Sequence, residues 1–322
     1  MSGTARALTA VARRAASGAL LLVGASVLLF ALVDLAPGDP VLARFGFQAA
    51  GLSDEDLARL RHEYGLDRSL PQRYVDFVRD LSAGDLGTSA RSGQPIGDLV
   101  AQAFPVTASL TLVAAAVTAV LALGLGITAA VYRGRWPDRL ITAASAVGLA
   151  APVFWVGLLA IDTFAIDLRW LPAGGYQPVS AGLWPWLSTL LLPAVTLALG
   201  VAGILVRVVR ASVADQLDQD YVRTALGAGL SRTRVLWRNL LPNALVTPLT
   251  VFGLYVGYLL AGAVLVEVVY ALPGMGQLLV NAAIDGDFAV TRIVALVTIA
   301  VFLAVNLCTD VVAMLIDPRT RT

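Results

Sequence analysis

Six stretches of mostly apolar residues, near 15–33, 108–132, 140–161, 187–206, 245–270 and 292–314, run through this chain of 322 residues. Each meets or approaches the ~20 residues that a helix needs to cross bilayer hydrocarbon. In lipid the backbone has no water to bond to, so a spanning stretch must satisfy its own N–H and C=O groups as a helix. Composition agrees, with 58% hydrophobic and only 14% charged residues, where soluble domains carry roughly 25% charged. The expected fold class is an all-α integral membrane protein with six transmembrane helices. An even number of spans puts both termini on one side.

The 23 basic residues are all arginine. Without lysine there is no Walker A phosphate loop, Schiff-base lysine or pyridoxal-phosphate anchor. One histidine, His62, and one cysteine, Cys308, exclude metal sites built from His and Cys clusters, and a lone cysteine forms no internal disulfide. A net charge of +1 argues against nucleic acid. The chain is expected to be non-catalytic, with no cofactor or metal of its own.

The first stretch follows Arg13-Arg14 and is longer than the ~7 to 15 residues of a signal peptide's apolar core. It reads as a retained anchor, residues 15–33, behind a tail at 1–14. Fourteen arginines fall in the termini and the loops on the tail's side and two on the other, with seven in the long segment after the first span. Long segments are largely exempt from the positive-inside rule, so both termini are expected in the cytoplasm.

Residues 34–104 then form a small helical extracytoplasmic domain. Ser53 with Asp56 is a capping-box pattern for one helix, closed by Gly65. Ser69 and Pro71 open a second, with Tyr74, Phe77, Val78 and Leu81 on one face, and Ile96, Leu99, Val100 and Ala103 mark a third. His62, on the first, has no second ligand type nearby and reads as an ordinary surface or packed histidine.

Residues 105–322 carry the other five spans, and the cytoplasmic loop at 207–243 is long for a connection within a bundle. Asp215, Asp218 and Asp220 precede a run from 221 to 228 that can make about two helical turns, with acidic charge where the helix dipole favours it. Gly229 can stop that helix, and Ser231 can cap another running through Val235 and Leu236 to Leu241 before Pro242. An ordinary solvated basic loop is the alternative.

Here the residues resemble a known family, the inner-membrane permease subunits of binding-protein-dependent ABC importers, in the peptide and nickel branch. Its cytoplasmic motif reads E-A-A-x3-G-x9-I-x-L-P. Arg223, Thr224, Ala225, Gly229, Asn239, Leu241 and Pro242 fall at the matching positions, and Ala225, Gly229, Leu241 and Pro242 agree. Arg223 replaces the acidic residue, Thr224 an alanine and Asn239 the isoleucine. The resemblance extends from Ala36-Pro37-Gly38-Asp39-Pro40 to Asp317-Pro318-Arg319. Between them lie Gly84-Asp85-Leu86-Gly87, Pro152 with Phe154-Trp155 and Gly157-Leu158, Trp170-Leu171-Pro172 before Gly175-Tyr176, and Glu267 before Pro273-Gly274-Met275-Gly276.

The resemblance implies a type I ABC importer permease fold in a bacterial inner membrane. It also implies a coupling helix that docks on an ATPase subunit, with Tyr221, Arg223, Thr224, Ala225, Gly229, Leu241 and Pro242 forming or bounding the contact. The implied partners are a second homologous permease, two ATPase subunits or one fused ATPase carrying ATP and Mg, and an extracytoplasmic substrate-binding protein. Small peptides are the leading substrate, ahead of nickel chelates or another small solute.

Charges inside spans are functional candidates by default. Glu267, near the outer end of the fifth span, could orient the Pro273-Gly274 turn or face the pathway. Asn306 and Asp310 lie one turn apart in the sixth, where Asp310 suits interfacial hydration, and Cys308 between them reads as a small packed residue. Gly124, Gly126, Gly253, Gly257 and Gly262 suit close helix contact within or between subunits. A self-contained secondary transporter would show inverted repeats or broken charged helices near the midplane. An intramembrane protease would show His-Glu-x-x-His or paired aspartates, and neither set is evident.

Overall fold

The computed structural model describes residues 3–34, 53, 55, 56, 59, 62 and 68–316. Twelve α-helices form among them. They are α1 (Gly3–Asp34), α2 (Leu70–Ser82), α3 (Ile96–Val131), α4 (Trp136–Ala150), α5 (Val153–Ala160), α6 (Leu183–Leu217), α7 (Asp220–Gly227), α8 (Arg232–Arg234), α9 (Leu241–Ala244), α10 (Val246–Val269), α11 (Met275–Ile284) and α12 (Phe288–Ile316). Wider π-helical turns continue α5 through Ile161–Asp167 and join α8 to α9 through Val235–Leu240. No strand forms among the described residues beyond one antiparallel bridge between Thr88 and Pro95.

Five helices are long and apolar enough to cross a membrane, and a sixth span is available if α4 and α5 count as one bent pair. That pair corrects the expectation of a straight span at 140–161, because the two halves meet at 105°. Ala151 is extended at φ −72°, ψ 130°, and Pro152 follows. The proline ring disfavours helical geometry at the residue before it and supplies no N–H for the next turn.

Two other boundaries move. The short helix expected at 96–103 and the span at 108–132 are one helix, α3, which takes Pro105 into its interior. At 36 residues it is about 54 Å long. The span expected at 187–206 extends to Leu217 as α6, with Pro193 inside it, so much of the expected loop is helix.

The chain divides into two compact units, one of residues 107–272 and 302–316 with the start of α1, the other of 15–106 and 273–301. In the first, α4 and α6 run antiparallel at close range. Ser145 O would lie 2.6 Å from a methyl at Gly203, and Leu199 O 3.4 Å from one at Gly148. The pairs 145 with 203 and 148 with 199 keep one register. Further small residues do the same elsewhere: Gly126 of α3 lies against Val209 of α6, and Gly253 and Gly257 of α10 against Thr309 and Phe302 of α12. Glycine here removes the side chain that would hold two backbones apart. Asn306 faces Gly257 and gives its amide to Phe302 O at 2.9 Å. Cys308 is exposed rather than packed, because residues 302, 306 and 309 make the face that meets α10. The Asp310 side chain lies outside the described residues.

The second unit is centred on Ile96, Ala103, Met275, Ala282, Val290, Ile293 and Val294. Ser53 accepts from the Asp56 N–H at 3.2 Å, and Gln72 from the Ser69 N–H at 3.3 Å, as the capping patterns require. Gly65 and the segments 36–40 and 317–319 lie outside the described residues. Of the expected apolar face of α2, Tyr74 and Phe77 pack on Phe30 of α1, while Val78 and Leu81 stay exposed. Arg292 stacks its guanidinium 4.2 Å from the Phe30 ring centre, a cation–π contact. Buried Ser89 donates to Asp287 at 2.6 Å, and Asp287 accepts from the Val290 N–H to open α12. His62 is exposed.

Candidate functional site

The segment after α6 is built by local rules. α6 ends at Asp218, and Gln219, extended at φ −74°, ψ 148°, starts α7 with Asp220 in its first turn. Tyr221 donates to Gln216 Oε1 at 2.7 Å, which ties the new helix back to the old. Val222 is buried and Ala225 half-buried against Val209, Val213, Val235 and Leu240. Asp220, Arg223, Thr224 and Ala228 face outward, with Arg223 and Asp220 72% and 97% exposed. Their 3.8 Å ion pair adds little at such exposure.

Gly229 closes α7 by adopting φ +84°. Its N–H donates to Leu226 O at 3.0 Å, and the Leu230 N–H to Ala225 O at 3.2 Å. These are the two bonds of a Schellman cap, which needs a left-handed residue at this place. A methyl at Gly229 would meet nothing within 4 Å, so φ alone demands glycine. Ser231 then accepts from the Arg234 N–H at 3.4 Å and caps α8, as expected.

Pro242 does not end this helix, contrary to expectation. The chain widens into π-helical turns before it and continues to Ala244, a register change that accommodates the missing proline N–H. Leu241 is 3% exposed and belongs to the apolar core, whereas Pro242 is exposed. Of the seven residues proposed for ATPase contact, Tyr221, Arg223, Thr224 and Pro242 reach the surface, and Ala225 and Leu241 brace the element from behind. Gly229 shapes its end.

Glu267 has no exposed surface. Thr107 of α3 donates to its carboxylate at 2.5 Å, a contact that ties α3 to α10. Its carbonyl accepts from the Leu272 N–H at 2.9 Å across Ala271, which sits at φ +50°. Three residues on, Tyr270 is buried with its hydroxyl 2.8 Å from Thr196 Oγ1 and 3.3 Å from Gly157 O. The Gly175 N–H donates to Tyr270 O at 3.1 Å, and Gly174 abuts the same carbonyl too closely for any side chain. Gly174-Gly175 thereby fastens the connection between α5 and α6 to the end of α10. Pro273 is exposed and Gly274 buried, where it opens α11 in an extended conformation.

One ion pair was missed entirely by sequence reasoning. Asp138, in the first turn of α4, is 4% exposed and accepts both Nε and Nη2 of Arg210, the latter at 2.8 Å. The Gly134 N–H at 2.8 Å and Thr142 Oγ1 at 3.4 Å complete its shell. The two residues are 72 positions apart; the hint was a charge at the apolar edge of each helix. Among the described residues no cluster of His, Cys, Asp and Glu could hold a metal.

Residues 122–322 match the family described as binding-protein-dependent transport system inner membrane component, and residues 7–111 its N-terminal counterpart. A probable peptide ABC transporter permease protein of Sinorhizobium fredii is 34% identical over 97% of this chain and 98% of its own length. A putative peptide transport system permease protein of Brucella abortus is 36% identical over the same shares. A glutathione transport system permease protein of Escherichia coli is 36% identical over 92% of this chain and 93% of its own. Among solved structures, an inward-facing conformation of the MetNI methionine ABC transporter matches with a TM-score of 0.56 at 17% identity, covering 68% of this chain and 96% of that one.

Proposed function

The chain belongs to the binding-protein-dependent transport system inner membrane component family, and from that membership we propose that it is the permease subunit of an ABC importer for small peptides. The observation that carries the mechanism is α7. A helix of eight residues, fixed from behind by Val222 and Ala225 and bare in front at Arg223 and Thr224, is shaped to press on another protein. It follows α6 after two residues, so force applied to it passes directly into a membrane-spanning helix.

In this reading the chain moves no phosphate itself. ATP and Mg reside on two partner ATPase subunits or one fused ATPase, which hold α7 in a groove. A second, homologous permease supplies the other half of the pathway. An extracytoplasmic binding protein delivers the peptide to the face that carries residues 53–103, and both termini are cytoplasmic, a reading that the arginine distribution supports. The relatives named for peptides and for glutathione support a short peptide as cargo.

The test is reconstitution of the two permeases and the ATPase in proteoliposomes, with the binding protein added outside. Peptide uptake and binding-protein-stimulated ATP hydrolysis are expected together, and neither from this chain alone. Robust ATP turnover by the purified chain, or uptake without ATP, would refute the proposal.

A further inference from the structure

A carboxylate has roughly four lone-pair sites, and at Asp138 four donors fill them: two N–H groups of Arg210, the Gly134 N–H and the Thr142 hydroxyl. The Arg210 fork matters because two parallel bonds fix direction as well as distance, which a single ammonium contact does not. Asp138 and Arg210 pair in the register already set by Ser145 with Gly203 and by Gly148 with Leu199. The residue numbers rise on α4 as they fall on α6, by the same seven residues from 138 to 145 and from 203 to 210.

Backbone contact at Gly203 and Gly148 brings the two helices close in the middle, and the ion pair ties them together nearer their ends. Beyond Arg210, α6 continues without a break to Leu217, and α7 follows, held by Tyr221 and Val222. Ser212 donates to Ala244 O at 2.6 Å, which joins α9 to the same stretch of α6. The orientation of α7 therefore depends on the angle between α4 and α6.

We propose that Asp138 and Arg210 are positioning residues for energy coupling: their bidentate pair sets the angle at which α6 presents α7 to the ATPase, and so the amount of peptide moved per ATP. This rests on the reading of α7 as the ATPase contact. A pair that served stability alone would change how much complex assembles and leave the coupling of each assembled complex untouched.

The experiment uses the complete complex in proteoliposomes with the binding protein and peptide. Arg210→Lys keeps the charge but loses the fork. A second variant, Asp138→Asn combined with Arg210→Gln, leaves no unpaired charge. Spin labels at Arg139→Cys on α4 and Asp215→Cys on α6, both exposed, in a Cys308→Ser background, report the angle directly. Expected are normal assembly, retained basal ATP hydrolysis, uptake per ATP lowered roughly five-fold or more, and a broadened distance distribution. An assembled variant with the wild-type uptake per ATP and distance distribution would overturn the proposal. So would loss of assembly in both variants, which would assign the pair to stability. A wild-type complex without binding-protein-stimulated hydrolysis would instead refute the permease reading itself.

Discussion

Replacing Gly229 isolates the contribution of one backbone angle. A methyl there meets nothing within 4 Å, so a β-carbon adds no collision and removes no contact. What remains is φ +84°, which costs a non-glycine residue about 1 to 3 kcal/mol, with β-branched residues at the upper end. At 1.4 kcal/mol per factor of ten, the population with the α7 cap intact falls by about 5-fold to about 150-fold relative to the opened form. Opening releases the bonds from Gly229 to Leu226 O and from Leu230 to Ala225 O and unwinds the last turn of α7. The spans lie elsewhere, so membrane insertion is unaffected. Uptake and binding-protein-stimulated ATP hydrolysis in reconstituted complexes should decline in the order Gly, Asn, Ala, Val, because asparagine tolerates the left-handed region. Gly229→Val with wild-type values, or Gly229→Asn as impaired as Gly229→Val, would refute the argument.

Thr107→Val removes a donor from the buried Glu267 carboxylate and should lower complex stability by about 1 to 3 kcal/mol, measured by thermal unfolding in detergent, whereas Glu267→Gln retains an acceptor and should lose less. Ala271→Gly relieves a left-handed alanine at φ +50°; after the greater freedom of glycine in the unfolded chain is subtracted, a gain of up to about 1 kcal/mol is expected, and a lower melting temperature would contradict it. Ser92→Cys in a Cys308→Ser background should react with a membrane-impermeant maleimide from outside intact cells, and labelling only from the cytoplasmic side would reverse the topology.

What could be read from the sequence was local. The apolar character of the spans, the Ser53 and Ser69 capping patterns and the Gly229 stop each depend on a few neighbouring residues, and the structure contains them, whereas the lengths of α3 and α6 and the bend between α4 and α5 depart from what the apolar stretches alone suggest. Prolines show the limit of such reading. Pro105 and Pro193 lie inside unbroken helices, while Pro152 ends one. The difference lies in whether the preceding residue turns to an extended conformation, as Ala151 does, and nothing in the flanking residues announces that turn. Asp138 and Arg210 looked like two charges at the ends of apolar stretches until α4 and α6 were folded together. Glu267 was visible as a buried charge, but its partner Thr107 is 160 residues away on a different helix. Leu241 matched a motif, yet motif matching does not separate residues that touch a partner from those that support the surface beneath.

The length of α6 gives small motions a large reach. Its 35 residues measure about 52 Å, against the ~30 Å of hydrocarbon in a bilayer. If such a rod pivots near one end, a tilt of about 10° swings its far end by about 9 Å. That is nearly the diameter of a helix, enough to carry α7 across a whole groove on a neighbouring protein. The same geometry works in reverse as a reduction gear: a wide stroke at the α7 end becomes a fine, forceful adjustment where the rod is buried among its neighbours.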